Sequence, residues 1–163
     1  MVRIETLMRE GKVSRIGELE IGRYANFFEN SHKDNLEHCK FTLGTFPRWS
    51  IISGYYAMHD ITKLLLAKKF RLKMEIEVHA TTIKVVREVL RKPKISEMLE
   101  KGYSEFIRLA NDLAEARKER VKVQYYTGTE FMKGEYRRRA GDFLKNMVEP
   151  YLEAIRKLEG ELK

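Results

Sequence analysis

Apolar positions along the chain recur every three or four residues rather than every second one, a spacing that predicts helix nearly throughout. From about residue 14 to 43, Ile21, Tyr24, Phe28, His32, Leu36, Cys39 and Leu43 fall on one face, and Gly44 ends the run. Pro47 suits the first turn of a second helix, with Thr45 or Phe46 at its cap. There Ile51, Tyr55, Met58, Thr62 and Leu65 form a stripe that Ile52, Tyr56 and Leu66 widen, so this helix is expected to be the most buried. A third begins near residue 75, carries Ile76, His79, Ile83, Val86 and Leu90, and stops at Pro93. A short piece at 96–101 is expected to be separated by Gly102 from a fourth helix bearing Tyr103, Phe106, Ala110, Leu113 and Arg117. After a turn at Thr127-Gly128-Thr129, a last helix over about 130–162 aligns Tyr136, Ala140, Phe143, Met147, Tyr151, Ala154 and Leu158, with Pro150 expected to kink it.

No repeat, linker or low-complexity tract divides the 163 residues, so one all-α domain spanning 1–163 is expected. A hydrophobic fraction of 43% rules out global disorder. No run approaches the apolar length of a membrane span, and one cysteine, Cys39, cannot form an internal disulfide. A cytoplasmic protein without membrane contact is expected. Twenty Glu against four Asp, and a single Gln at position 124, is a bias found in heat-adapted proteins.

Net charge is +8, which favours acidic partners such as nucleic acid. The basicity is local. Residues 63–73 hold five bases and no acid, residues 117–139 hold eight bases and three acids, and the remainder is slightly acidic. Tyr125, Tyr126 and Tyr136 are interleaved with the second stretch as stacking surfaces. Candidate nucleic-acid contacts are Lys68, Lys69, Arg71, Lys73, Arg117, Arg120, Tyr125, Arg137 and Arg138; the competing reading is a solvated helix face. Arg117, on an apolar stripe, calls for a carboxylate or a phosphate.

The segments Asp34-Asn35-Leu36-Glu37-His38-Cys39, Ser53-Gly54-Tyr55-Tyr56-Ala57-Met58-His59-Asp60 and Lys63-Leu64-Leu65-Leu66 resemble the HEPN family of helical domains. His79-Ala80-Thr81-Thr82-Ile83, Arg120 five residues before Tyr125, and Arg139-Ala140-Gly141-Asp142-Phe143-Leu144 extend the resemblance over roughly residues 34 to 152. The resemblance implies an up-and-down bundle of four or five helices that forms a homodimer. It also implies one of two roles: a binding and regulatory module beside a nucleotidyltransferase or another toxin-antitoxin partner, able to contact RNA, or a metal-independent endoribonuclease.

The ribonuclease members carry an Arg four to six residues before a His, and this chain departs from them. No arginine has that spacing to His32, His38, His59 or His79; Lys73 has it to His79, but an ammonium cannot fork onto two phosphate oxygens. The module reading is therefore preferred, with His79 and Arg120 kept as catalytic candidates that the resemblance implies. On the residues alone, a histidine on an apolar stripe is more often packed and hydrogen-bonded than catalytic. Glu29-x-x-His32 places a carboxylate and an imidazole one turn apart, but a di-iron bundle needs the pair twice and it occurs once. No phosphate loop, dinucleotide fingerprint or zinc motif is present, so no metal or cofactor is expected.

Overall fold

The computed structural model describes residues 3–119 and 130–162, with side chains described outside 110, 112–119 and 130–133. In chain order the elements are α1 (Ile4–Arg9), β1 (Val13–Arg15), α2 (Glu18–Thr42), α3 (Pro47–Phe70), β2 (Leu72–Met74), α4 (Val78–Leu90), α5 (Pro93–Glu119), α6 (Glu130–Phe143) and α7 (Glu149–Glu161). A π-helical turn, Leu144–Val148, joins α6 to α7. The architecture is an all-α helical bundle with one minute sheet.

Helix α3 is the axis of the bundle. Beyond its first turn, where Trp49 is exposed, its apolar residues are buried or partly buried on every side, from Ile51 and Tyr55 to Leu64, Leu65 and Leu66, as expected for a helix surrounded by others. Helix α2 lies along it, and α4, α5, α6 and α7 close the remaining faces. One cluster of buried apolar side chains runs from Leu7 through this axis to Leu158. No helix among the described residues is long and apolar enough to cross a membrane.

Four local expectations change. Residues 14 and 15 are strand rather than helix: β1 pairs antiparallel with β2, Val13 opposite Met74 and Arg15 opposite Leu72. Three residues are too few to display alternation, so this clip was invisible to the pattern. It ties α1, whose Leu7 enters the core, to the link between α3 and α4. Helix α4 accordingly starts at Val78, and Ile76 is exposed rather than on its stripe.

Helix α5 runs straight through Gly102. The glycine serves packing there, because a Cβ at this position would lie 3.0 Å from Met58 Cε of α3. Pro150 is accommodated by a π turn, which the expectation of a kink did not specify. The Glu149 N–H bonds the Leu144 carbonyl five residues back, and Pro150 has no N–H to offer Asn146. The expected stripe is buried at Tyr136, Ala140, Phe143, Tyr151 and Leu158, and Val148, Leu152 and Ile155 widen the buried face, whereas Met147 and Ala154 are only partly buried. Opposite the turn stands Gly54, where a Cβ would be 2.9 Å from Val148 Cγ2. The Thr127-Gly128-Thr129 turn lies outside the described residues.

Candidate functional site

Residues quoted above for the α3 and α4 segments meet in one aromatic and imidazole cluster. Tyr55 and His59 stand four apart on α3 and so share a face. The Tyr55 hydroxyl reaches His79 Nδ1 of α4 at 2.7 Å, and the His59 and His79 rings lie 4.6 Å apart. Helix α5 adds Tyr103, stacked on His79 at 5.5 Å, and Phe106, stacked on Tyr55 at 5.0 Å. Tyr56 borders the cluster, with its ring edge toward His79 and Phe106.

Counting protons assigns the tautomers. The Thr82 hydroxyl donates its single hydrogen to the Val78 carbonyl at 2.7 Å. It must therefore accept from His59 Nε2, 3.1 Å away. His59 is only 2% exposed, so its Nδ1 keeps a buried lone pair with no hydrogen-bond partner, 3.8 Å from Asp60 Oδ1. Burial lowers the His59 pKa, partly opposed by Asp60, and so keeps this imidazole neutral. Burial opposes ionisation of Asp60 as well. The Ser31 hydroxyl at 2.7 Å and the Lys63 ammonium act against it, and the carboxyl is held below its ordinary value. Asn35 adds a further hydrogen bond at 3.1 Å. Lys63 itself lies over the Phe28 ring at 3.9 Å, its pKa lowered by burial.

The same counting applies to His79. Tyr55 is fully buried, and burial raises its pKa, so the phenol keeps its proton and donates it to His79 Nδ1. Burial, then the neighbouring His59 and Lys63, depress the His79 pKa to about 4. At neutral pH His79 is therefore an uncharged imidazole with Nδ1 occupied and the proton on Nε2. In this state it is a hydrogen-bond donor and has no lone pair for taking a proton from a hydroxyl.

The cationic candidates separate. Lys68 pairs with Glu29 and Glu159, Arg71 with Glu18, and Lys73 with Glu20 and Glu75; Lys69 donates to the Leu162 carbonyl. Most of the charge in this first stretch is thus matched by carboxylates on neighbouring elements. Arg137 donates Nε–H to the Gly44 carbonyl at 3.1 Å, which brings α6 against the turn between α2 and α3. Arg138 borders an open cleft of about 400 Å³ with Arg108 and Arg139, faced by Glu105, Glu135 and Asp142. Three cations against three carboxylates leave that cleft little net pull on an anion. Arg120 and Tyr125, like Tyr126, lie outside the described residues, as does the side chain of Arg117.

Glu29 and His32 are both engaged elsewhere, Glu29 with Lys33 and Lys68 and His32 through Nδ1–H to the Phe28 carbonyl at 2.8 Å. Among the described residues no group of three or more His, Cys, Asp or Glu side chains could hold a metal ion. The sequence reading passed over His59, Asp60, Thr82, Tyr103 and Phe106 as site residues. The i,i+4 spacing of Tyr55 and His59 was the available signal; the partners from α4 and α5 had none. No protein-family model, no curated protein and no solved structure matches the chain.

Proposed function

We propose that the chain is a HEPN-like binding and regulatory module that contacts RNA, forms a homodimer and works beside a nucleotidyltransferase or another toxin-antitoxin partner. The observation that carries the choice of module over nuclease is the Tyr55 to His79 hydrogen bond. An endoribonuclease of this type needs a base for the RNA 2'-hydroxyl and a cation for the phosphorane. His79 has its Nδ1 occupied by the Tyr55 proton, and its depressed pKa keeps it uncharged at neutral pH. The missing Arg-to-His spacing points the same way. The contact with RNA rests on the +8 net charge, and the dimer and the protein partner rest on the resemblance.

The test incubates purified protein with labelled structured and unstructured RNA in EDTA, which disables metal-dependent contaminants and leaves acid-base cleavage untouched. Intact RNA whose binding weakens steeply with salt is expected. Products ending in 2',3'-cyclic phosphate, lost in folded His79→Ala or Arg120→Ala protein, would establish the endoribonuclease instead. Sedimentation at micromolar concentration checks the dimer, and a single species of 19.3 kDa would refute it.

A further inference from the structure

Exposed aromatic rings crowd one edge of the α2–α3 pair. Phe41 is 84% exposed, and Phe46 and Trp49 are each 57% exposed. Their contiguity follows from a hydrogen-bond chain. His38 Nδ1 lies 2.6 Å from Ser53 Oγ, and that hydroxyl donates its only hydrogen to the Trp49 carbonyl at 2.9 Å. Ser53 therefore accepts from His38 Nδ1–H. Phe41 stands three residues after His38 on α2, and Trp49 four residues before Ser53 on α3, so both flank the seam that this bond closes. Phe46 caps α3, its carbonyl accepting from the Trp49 N–H at 2.9 Å.

Arginines border the same corner. Exposed Arg137 is held to the Gly44 carbonyl between Phe41 and Phe46, and Arg48, next to Trp49, lies 4.6 Å from the Tyr136 ring centroid. Lys40 is matched by Glu149 at 3.0 Å, and Glu37 is the acid one turn before Phe41. Two arginines against one unmatched acid leave the corner net positive. Large exposed rings beside forked cations are what an unpaired nucleic-acid strand requires, since bases stack on the rings and phosphates meet the guanidiniums.

We infer that the α2–α3 corner, through Phe41, Phe46 and Trp49 with Arg48 and Arg137, is a stacking surface for single-stranded nucleic acid. The inference rests on the reading of the chain as an RNA-contacting module and gives that contact a place outside the first basic stretch, with Arg137 the one residue it shares with the second. His38 adds polarity to the surface. With its Nδ1–H given to Ser53, the exposed imidazole presents Nε2 as an acceptor.

Trp49 is the chain's single tryptophan, so its fluorescence reports on this corner alone. The full chain is titrated with a short fluorescein-labelled oligouridylate at low salt, followed by label anisotropy, and with the unlabelled oligomer, followed by Trp49 emission. Binding with quenching of Trp49 is expected. Phe46→Ala and Trp49→Ala should each weaken anisotropy-detected binding by about five- to hundred-fold, the worth of one base–ring stack. Arg137→Gln should lower the salt slope by about one. The changed rings are exposed, and an unchanged melting temperature verifies that each variant is folded. Binding that leaves Trp49 unquenched and is indifferent to these variants overturns the inference while the RNA-contacting reading stands. Absence of binding by anisotropy overturns both. A blue shift of Trp49 with protein concentration alone, matched by a doubled sedimentation mass, assigns the face to a second copy and also overturns it.

Discussion

Acid should destabilise the fold through His79, and the size of the effect follows from its surroundings. The unfolded imidazole titrates near 6.5, and burial with the neighbouring His59 and Lys63 brings the folded one to about 4. Between those values the unfolded chain binds the proton more readily, so stability falls as pH drops and levels off only below about 4. Full conversion gives a loss of about 2 kcal/mol between pH 7 and pH 5. His79 is half-buried, and solvent screening reduces this to about 1 kcal/mol. For a chain of this size that is a fall in Tm of about 2–4 °C. Burial lowers the His59 pKa as well, so the comparison needs a variant that removes one imidazole only. His79→Asn keeps an oxygen near the Nδ1 position to accept the Tyr55 hydroxyl and cannot titrate. Urea denaturation of both proteins at pH 7 and pH 5 should show the variant losing about 1 kcal/mol less than the parent. Asp60 does not confuse the difference, because its depressed pKa acts at lower pH and is shared by both proteins. Equal losses in the two proteins, or an NMR titration of His79 centred near 6.5, would refute the reasoning.

Two further predictions concern the backbone. Gly54→Ala should destabilise by about 1–2 kcal/mol despite its gain in helix propensity, because the new methyl meets Val148 Cγ2 at 2.9 Å and a β-branched side chain in a helix has no second rotamer to adopt. Gly102→Ala comes closest to the flexible end of Met58 and meets Tyr55 Cδ2 only at an ordinary 3.6 Å, so chemical denaturation should find it neutral or stabilised by up to about 1 kcal/mol; similar losses in both alanine variants would count against the packing argument. Arg91 closes α4 with φ 50, a left-handed conformation that a side chain resists, so Arg91→Gly should stabilise by about 1 kcal/mol, seen as a raised Tm, and a lowered Tm would contradict it.

Much of the bundle was legible because helix leaves a long-range trace. The α3 stripe of Ile51, Tyr55, Met58, Thr62 and Leu65 is buried as its spacing required, and Pro47 opens that helix with Phe46 as its cap. The α2 stripe holds at Phe28, His32 and Cys39, all buried. What failed was short or depended on a partner. The β1–β2 clip consists of three residues on each side, below the length at which alternation can be told from chance. Gly102 reads locally as a breaker, and only Met58 packed across it explains why α5 continues. Pro150 signalled trouble in the last helix at the right place, but whether a helix answers with a kink or a π turn depends on what it packs against, here the bare Cα of Gly54.

The site was legible only as residue types, because its chemistry lies in who donates to whom. Tyr55 and His79 could be named from the chain, yet a Tyr beside a His can mean a base made ready or a base already occupied. The difference is one hydrogen. Full burial of Tyr55 obliges its hydroxyl to find an acceptor, and His79 Nδ1 at 2.7 Å is that acceptor. Thr82 does the reverse at His59: by giving its hydrogen to Val78 it directs the imidazole proton to Nε2 and leaves Nδ1 beside Asp60 without a hydrogen bond. Two histidines with ring centres 4.6 Å apart are thus both kept neutral by burial, each with its tautomer set by a different neighbour. Such an arrangement is ill suited to proton transfer, since the uncharged His79 ring packs against Tyr103 and Phe106, His59 packs against Tyr55, and neither imidazole is poised near neutral pH. The basic stretches show the same limit. Counting charges located the bases, but apart from Glu75 beside Lys73 the carboxylates that match Lys68, Arg71 and Lys73 come from α2 and α7, distant in sequence, and only the folded chain reveals how little of that charge faces a partner unopposed.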